Sequence, residues 1–379
     1  MGLKGDENTS VLRDVLVLET ASVLAGPAVG MFFAEAGARV VKVENRRSGG
    51  DITRQWKLPE EDPASPVSAY FSSVNFGKEH RLMDLQEAGD RAAFDALVAQ
   101  ADVLITNHLP RHAAKLGLLP ERLRTINPTL VHGHIRGYPD DPDRAAYDVV
   151  LQAETGYISM TGTDPLHPAK LPVAMIDLLA AHHLKEGLLL ALLHCGRTGE
   201  GAYVEVSLEE AALTGLVNQA SNWLMTGHVA GPMGTLHPNI APYGEVLRCA
   251  DGEALVLAVG SDAQFRKLCE VLDLPGTASS ARYATNADRV RNRSALAVDL
   301  DPAARLWARP ELLARLRAAG VPAGAVATMD QALGTPVAQR MTLEETIEGM
   351  RTLRIRGNAF RSTYFPRGNP SEAPDKPGT

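Results

Sequence analysis

Apolar residues along the first 135 positions alternate between two rhythms. Short β-branched runs read as buried strands: Val15-Leu16-Val17-Leu18, Val40-Val41-Lys42-Val43, Val103-Leu104-Ile105 and residues 130–135. Between them, residues 28–36 and 94–100 carry helical spacing, and residues 82–85 predict a further edge strand. Regular alternation of strand and helix predicts a parallel sheet covered on both faces. Such sheets take ligands at the carboxyl ends of their strands.

Beyond Pro172 the pattern changes. Residues 178–195 form a long apolar helical stretch with Gly196 as its predicted stop, and RTGEGAY leads on to the strand Val204-Glu205-Val206. Residues 225–242 are rich in Gly, Pro and His, a loop of a length that is usually functional or hinge-like. A strand at 254–259 and helical stretches at 262–272, 288–308 and 310–319 predict a smaller α/β domain. The tail from Asn369, NPSEAPDKPGT, reads as coil.

With 45% hydrophobic and 22% charged residues, the chain of 379 residues reads as globular rather than disordered. Its formal charge of -7 excludes nucleic acid and anionic membrane surfaces as general partners, since both require a basic field. Any phosphate site must be local. Cys195, Cys249 and Cys269 are far apart and form no CxxC pair, which predicts buried free thiols rather than a zinc cluster or a disulfide framework. The polar start MGLKGDENTSVLRD has no apolar signal core, and no stretch nears the roughly 20 apolar residues of a membrane span. The expected location is the cytoplasm.

Candidate chemistry gathers at three places. The first strand runs into Leu24-Ala25-Gly26-Pro27-Ala28, a tight turn opening a helix, whose N–H groups suit a phosphate or carboxylate. It is not a GxGxxG loop, and Gly26 and Pro27 also make sense as turn residues alone. Glu44 ends the second strand where a ribose-binding acid would stand, and Arg46, Arg47 and Arg54 flank Gly49-Gly50, so they can clamp phosphates or simply be solvated. Asp177 stands between Val173-Ala174-Met175-Ile176 and the long apolar helix. It is either a held, reactive carboxylate or an ordinary helix cap. Asp148 follows Tyr147, so that two carboxylates and a phenol permit acid-base or nucleophilic chemistry. His108, His112, His182 and His183 show no metal-ligand spacing, and no GxSxG elbow or Walker A loop occurs.

A set of longer stretches carries more information. They are VLAGPAVGMFFAEAGARVVKVE, GGDITRQW, ADVLITN, Tyr147-Asp148 with VVLQAETG, AMIDLLA, RTGEGAYVEVSL, HPNIAPYGEVLRCADGEALVLAVG and AGVPAG, spread from about residue 15 to 325. On these the chain resembles the family III CoA-transferases of the CaiB/BaiF type, which include formyl-CoA, carnitine and succinyl-CoA transferases and related α-methylacyl-CoA racemases. The resemblance implies a large α/β domain on a Rossmann-like parallel sheet over residues 1–220. It places a smaller α/β domain with its linkers at 221–330, a return to the large domain with a tail at 331–379, and two chains interlocked as rings in a homodimer.

The resemblance further implies that Asp177 is the catalytic residue, supported by Tyr147, Asp148 and Gly234. CoA contacts would come from Val23, Ala25, Arg46 or its neighbour Asn45, Asn107, His108, Lys115 and Arg136. Oxyanions would be held by N–H groups at the start of the Asp177 helix and in the loop 231–234. Acyl-CoA and a carboxylic acid are then the substrates, with coenzyme A itself the only cofactor and no metal. Racemase relatives carry a histidine where this chain has Tyr147. A phenol ordinarily titrates near about 10 and is a poor base at neutral pH, so transfer is favoured. A 2-methylacyl-CoA racemase and a non-catalytic CoA-binding protein are the alternatives. The chain departs from the family pattern at Ala181, where a glycine is usual, and at Lys115, which lacks a guanidinium's fork. It also stops at APDKPGT, where many relatives continue into another helix.

Overall fold

The computed structural model describes residues 11–360, so the tail expected from Asn369 lies outside the described residues. Six strands, β1 (Leu16–Glu19), β2 (Arg39–Asn45), β3 (Lys78–Met83), β4 (Val103–Thr106), β5 (Val131–Arg136) and β6 (Ala202–Ser207), form one sheet in the order β3-β2-β1-β4-β5-β6. Every pairing is parallel, as the strand and helix alternation predicts. The helices follow as α1 (Ala25–Glu35), α2 (Ala69–Ser72), α3 (Ala88–Val98), α4 (Pro110–Leu116), α5 (Pro120–Ile126), α6 (Asp148–Glu154), α7 (Tyr157–Met160), α8 (Met175–Thr198), α9 (Leu208–Thr214) and α10 (Val217–Thr226).

Strand order reverses between β1 and β4, and the crevice above such a reversal is where open α/β sheets bind ligands. On one face Leu18, Val41, Val43 and Leu104 pack against Phe94 and Val98 of α3. On the other, α8 lies close over β5 because Gly133 has no side chain there. A Cβ at that position would meet Leu184 and Leu188 at 3.0 to 3.2 Å.

Among the element boundaries that differ from expectation, two bear on the site. The edge strand is Lys78–Met83, earlier in the chain than the apolar residues 82–85 suggest. Its polar sequence KEHRLM is stable as a strand because Lys78, inside the protein, is neutralised by Glu19 at 2.8 Å. Helix α8 passes through Gly196 and ends at Gly199, which adopts the left-handed conformation (φ 75°) that closes helices. Of the three thiols, Cys249 and Cys269 are buried, whereas Cys195 is half-buried on α8.

The chain divides into two compact units. Among the described residues, the first holds 11–155, 171–228 and 336–360, and the second holds 156–170 and 229–335. The second unit carries an antiparallel sheet of β7 (Tyr243–Arg248), β8 (Ala254–Ala258) and β9 (Ala323–Ala325) over a core that includes Leu247, Leu255, Phe265, Leu268 and Leu300. In the first unit, α8 and α10 leave Leu190, Leu193, Trp223, Leu224 and Met225 exposed. Among the described residues no helix is long and apolar enough to cross a membrane.

Candidate active site

The turn after β1 is built by close packing rather than by an open phosphate cradle. A Cβ on Gly26 would lie 2.3 Å from that of Ala21, and one on Gly30 would lie 1.8 Å from a Glu19 carboxylate oxygen. Both glycines are therefore needed for packing. Asn107, at the end of β4, grips the turn from one side: its amide accepts the Ser22 N–H at 3.1 Å and donates to the Ser22 carbonyl at 2.9 Å. Val23 adopts φ 72° and donates its N–H to Asp51 at 3.3 Å. His108 bonds Thr20 through Nε2 at 3.1 Å. Burial, aided by the charge of His134, lowers its pKa to about 4, so it brings a neutral ring to this turn at pH 7.

The expected CoA contacts thus lie along the carboxyl ends of the parallel strands. Val23, Ala25, Asn107 and His108 come together at the β1/β4 reversal. Asn45 and Arg46 sit one strand away, at the end of β2. Asn45 caps the short turn Arg46–Ser48 by accepting the Arg47 N–H, and exposed Arg46 pairs with Asp90 at 2.7 Å. Arg136, at the end of β5, pairs with Glu205 at 2.9 Å. Lys115 is exposed on α4 and has no carboxylate partner among the described residues.

The triple-arginine clamp is not present as an open cluster. Arg47 is ion-paired with Asp84 and Glu87, and Arg54 is inside the protein, forked on Glu44 with both bonds at 2.7 Å. Glu44 also meets His80 at 3.0 Å and takes the Asp51 N–H at 2.8 Å, which leaves no carboxylate oxygen turned toward a ribose. Burial pushes the Glu44 pKa up, but Arg54 and His80 outweigh it and hold the acid well below the usual range.

Asp177 does not cap its helix. Helix α8 begins at Met175 with Ala174 as cap residue, and no side chain of that segment closes the end. The cap comes from Asp148 at the start of α6, which accepts the Ile176 N–H at 2.7 Å and that of Asp177 at 3.4 Å while holding Gln152 at 2.5 Å. Asp177 is left at the third helical position, half-buried, its carboxylate without a hydrogen bond among the described residues. Burial, with the Asp148 charge as the lesser cause, raises its pKa to about 7.

Tyr147 precedes α6 and is 60% exposed. Sequence reasoning missed Tyr70, which stacks edge-on against Trp56 at 5.1 Å. Burial and the charges of Asp177, Asp148 and Asp51 push its phenol up to about 12, so it stays protonated within reach of their field. Nothing in the period of its short helix signals this.

The oxyanion donors expected from sequence are engaged elsewhere. The N–H groups at the start of α8 go to Asp148, and in the second unit the Gly234 N–H, at φ 62°, donates to the Gly162 carbonyl at 2.7 Å. His183 bonds Thr214, and among the described residues no group of three or more His, Cys, Asp or Glu is placed to hold a metal ion.

Residues 12–377 match the model of CoA-transferase family III. The chain is 36% identical to a succinate–glutarate CoA-transferase of Agrobacterium fabrum over 343 residues, covering 89% of this chain and 85% of that one. It is 33% identical to an acetyl-CoA:oxalate CoA-transferase of Acetobacter aceti over 85% of this chain and 82% of the other. A solved CaiB/BaiF family protein from Brucella suis superimposes with a TM-score of 0.81 at 34% identity, over 92% of each chain.

Proposed function

The chain belongs to CoA-transferase family III, and on that premise we propose that it moves coenzyme A from an acyl-CoA to a free carboxylic acid through a covalent thioester on Asp177. In the first step an Asp177 oxygen attacks the thioester carbonyl. The carbon–sulfur bond breaks, giving a mixed anhydride and CoA thiolate. The thiolate then attacks the aspartyl carbonyl and expels the donor's carboxylate, leaving aspartyl-CoA. The acceptor acid attacks that thioester and releases the thiolate, which attacks the acceptor's carbonyl and returns Asp177 as a carboxylate. No redox equivalent is consumed, so coenzyme A as substrate is the only cofactor the reading requires. Keeping the thiolate close to each anhydride favours transfer over hydrolysis.

The observation that carries this reading is the state of Asp177. Its helix is capped by another residue, its oxygens accept no hydrogen bond among the described residues, and its pKa of about 7 keeps a basic, partly ionised carboxylate available at neutral pH. Tyr70, a protonated phenol that feels the Asp177 charge, is the donor we assign to the developing oxyanion. The relatives named above act on succinate, glutarate and oxalate, and we extend the proposal to a short dicarboxylic acid as acceptor. We also assign the exposed apolar faces of α8 and α10 to a second copy of the chain, as the interlocked dimer requires, and the cytoplasm as the compartment.

The test is to mix the protein with succinyl-CoA in the absence of acceptor, trap with hydroxylamine, and map the modification by mass spectrometry. Hydroxamate on Asp177 is the expected outcome. Modification confined to any other residue overturns the assignment.

A further inference from the structure

The turn after β1 has a feature the reaction scheme does not use: Val23, a β-branched residue, sits at φ 72°. Such a residue avoids left-handed backbone, and it stays there only when its surroundings over-determine it. Here the surroundings are specific. Asn107 fixes the Ser22 peptide, and both oxygens of Asp51 lie 3.3 and 3.4 Å from the Val23 nitrogen.

Asp51 is only 5% exposed and is itself held in place. Its Oδ1 accepts the Thr53 N–H at 3.1 Å and the Thr53 hydroxyl at 2.8 Å, while Oδ2 meets the Lys42 ammonium at 3.1 Å. Lys42 in turn bonds Glu19 at 2.9 Å and the Ala21 carbonyl at 2.8 Å. The contacts therefore close a ring from the end of β1, through Lys42 and Asp51, back to the turn that β1 enters. Lys78 on Glu19 makes the group of four charges neutral.

We propose that Asp51 is a positioning residue that holds Val23 left-handed, so that the turn keeps its CoA-binding shape before the ligand arrives. This rests on the reading that acyl-CoA docks at this turn. Preorganising a turn lowers the ordering cost of binding, so its loss is read in affinity and KM rather than in the chemical step. Asparagine cannot replace the carboxylate, because its NH2 would face either Lys42 or the Thr53 N–H.

The experiment is calorimetric titration of CoA into the wild type, Asp51→Asn, Val23→Gly and the double variant. With Val23 in place, Asp51→Asn weakens CoA about tenfold or more, with KM for acyl-CoA rising in parallel and kcat within about threefold. In the Val23→Gly background, where left-handed backbone carries no side-chain penalty, the same change costs about threefold or less. Equal losses in both backgrounds, or no loss, overturn the proposal. If Asp51→Asn alone does not fold, Lys42→Met with Asp51→Asn keeps the remaining Glu19 and Lys78 neutral, and the same glycine rescue must appear. A wild type that ignores millimolar CoA sinks the docking reading instead. The clamp is then judged by hydrogen exchange: the Val23 amide exchanges about tenfold faster in Asp51→Asn, and an unchanged rate overturns it.

Discussion

Two of the charged groups in the first unit, one around Glu19 and one at the start of α8, are arranged in opposite ways. Around Glu19 every charge meets its opposite: Lys42 and Lys78 share that carboxylate, and Asp51 takes the other side of Lys42. Burial opposes the charge on Lys42, but Glu19 and Asp51 outweigh it and raise its pKa; in Lys78 burial prevails and the pKa falls to about 8. At the start of α8 like meets like, with Asp148 raising the already elevated pKa of Asp177. The first arrangement uses its electrostatics to hold a turn, and the second leaves a reactive group unsatisfied. Buried charge alone does not mark a catalytic site; uncompensated buried charge is the stronger signal.

Three experiments bear on that contrast. The largest effect belongs to the unsatisfied pair. Asp177→Asn lowers turnover about a thousandfold or more while CoA binding, measured by calorimetry, persists. A variant with wild-type turnover would dissolve the distinction. Next is the satisfied group: Lys42→Met leaves Asp51 without its cation and costs about 3–5 kcal/mol in chemical denaturation. A loss below about 1 kcal/mol would mean that the cluster holds little.

The smallest effect is in pH. Protonation of Asp177 makes kcat/KM fall as pH drops through about 7, and Asp148→Asn, which can keep the cap through its carbonyl oxygen, moves that limb to lower pH. The stability sign follows from the same shift. A raised acid pKa means the native state keeps its proton longer than the unfolded chain, so stability falls as pH rises between about 4 and 7. Asp177→Asn is therefore more stable than wild type above pH 7, by about 1–2 kcal/mol, and the two converge below about pH 4. A difference independent of pH would refute the assigned pKa.

Legibility tracked burial and sequence distance. Strands β1 and β4 were readable because both faces are covered, which makes them short, mainly apolar runs. Strand β3 was shifted because an edge strand tolerates charge, and its lysine is matched by a carboxylate contributed from β1. Gly196 and Gly199 are equivalent to a pattern; only Gly199 has the left-handed backbone that ends α8. Asp177 was legible as a residue and not in its surroundings, since the cap over its helix comes from 28 positions away. Tyr70 and Asp51 lay beyond reach for the same reason: their neighbours at the site come from other segments.

That borrowed cap has a consequence for the proposed turnover. The adduct proposed on Asp177 would erase a negative charge from the first turn of a 24-residue helix, where the Ile176 and Asp177 amides are tied to Asp148 rather than to the reacting side chain. On the proposed mechanism the backbone beneath the reacting atom would then have no reason to fray, and α8 would be loaded and unloaded without rebuilding its end.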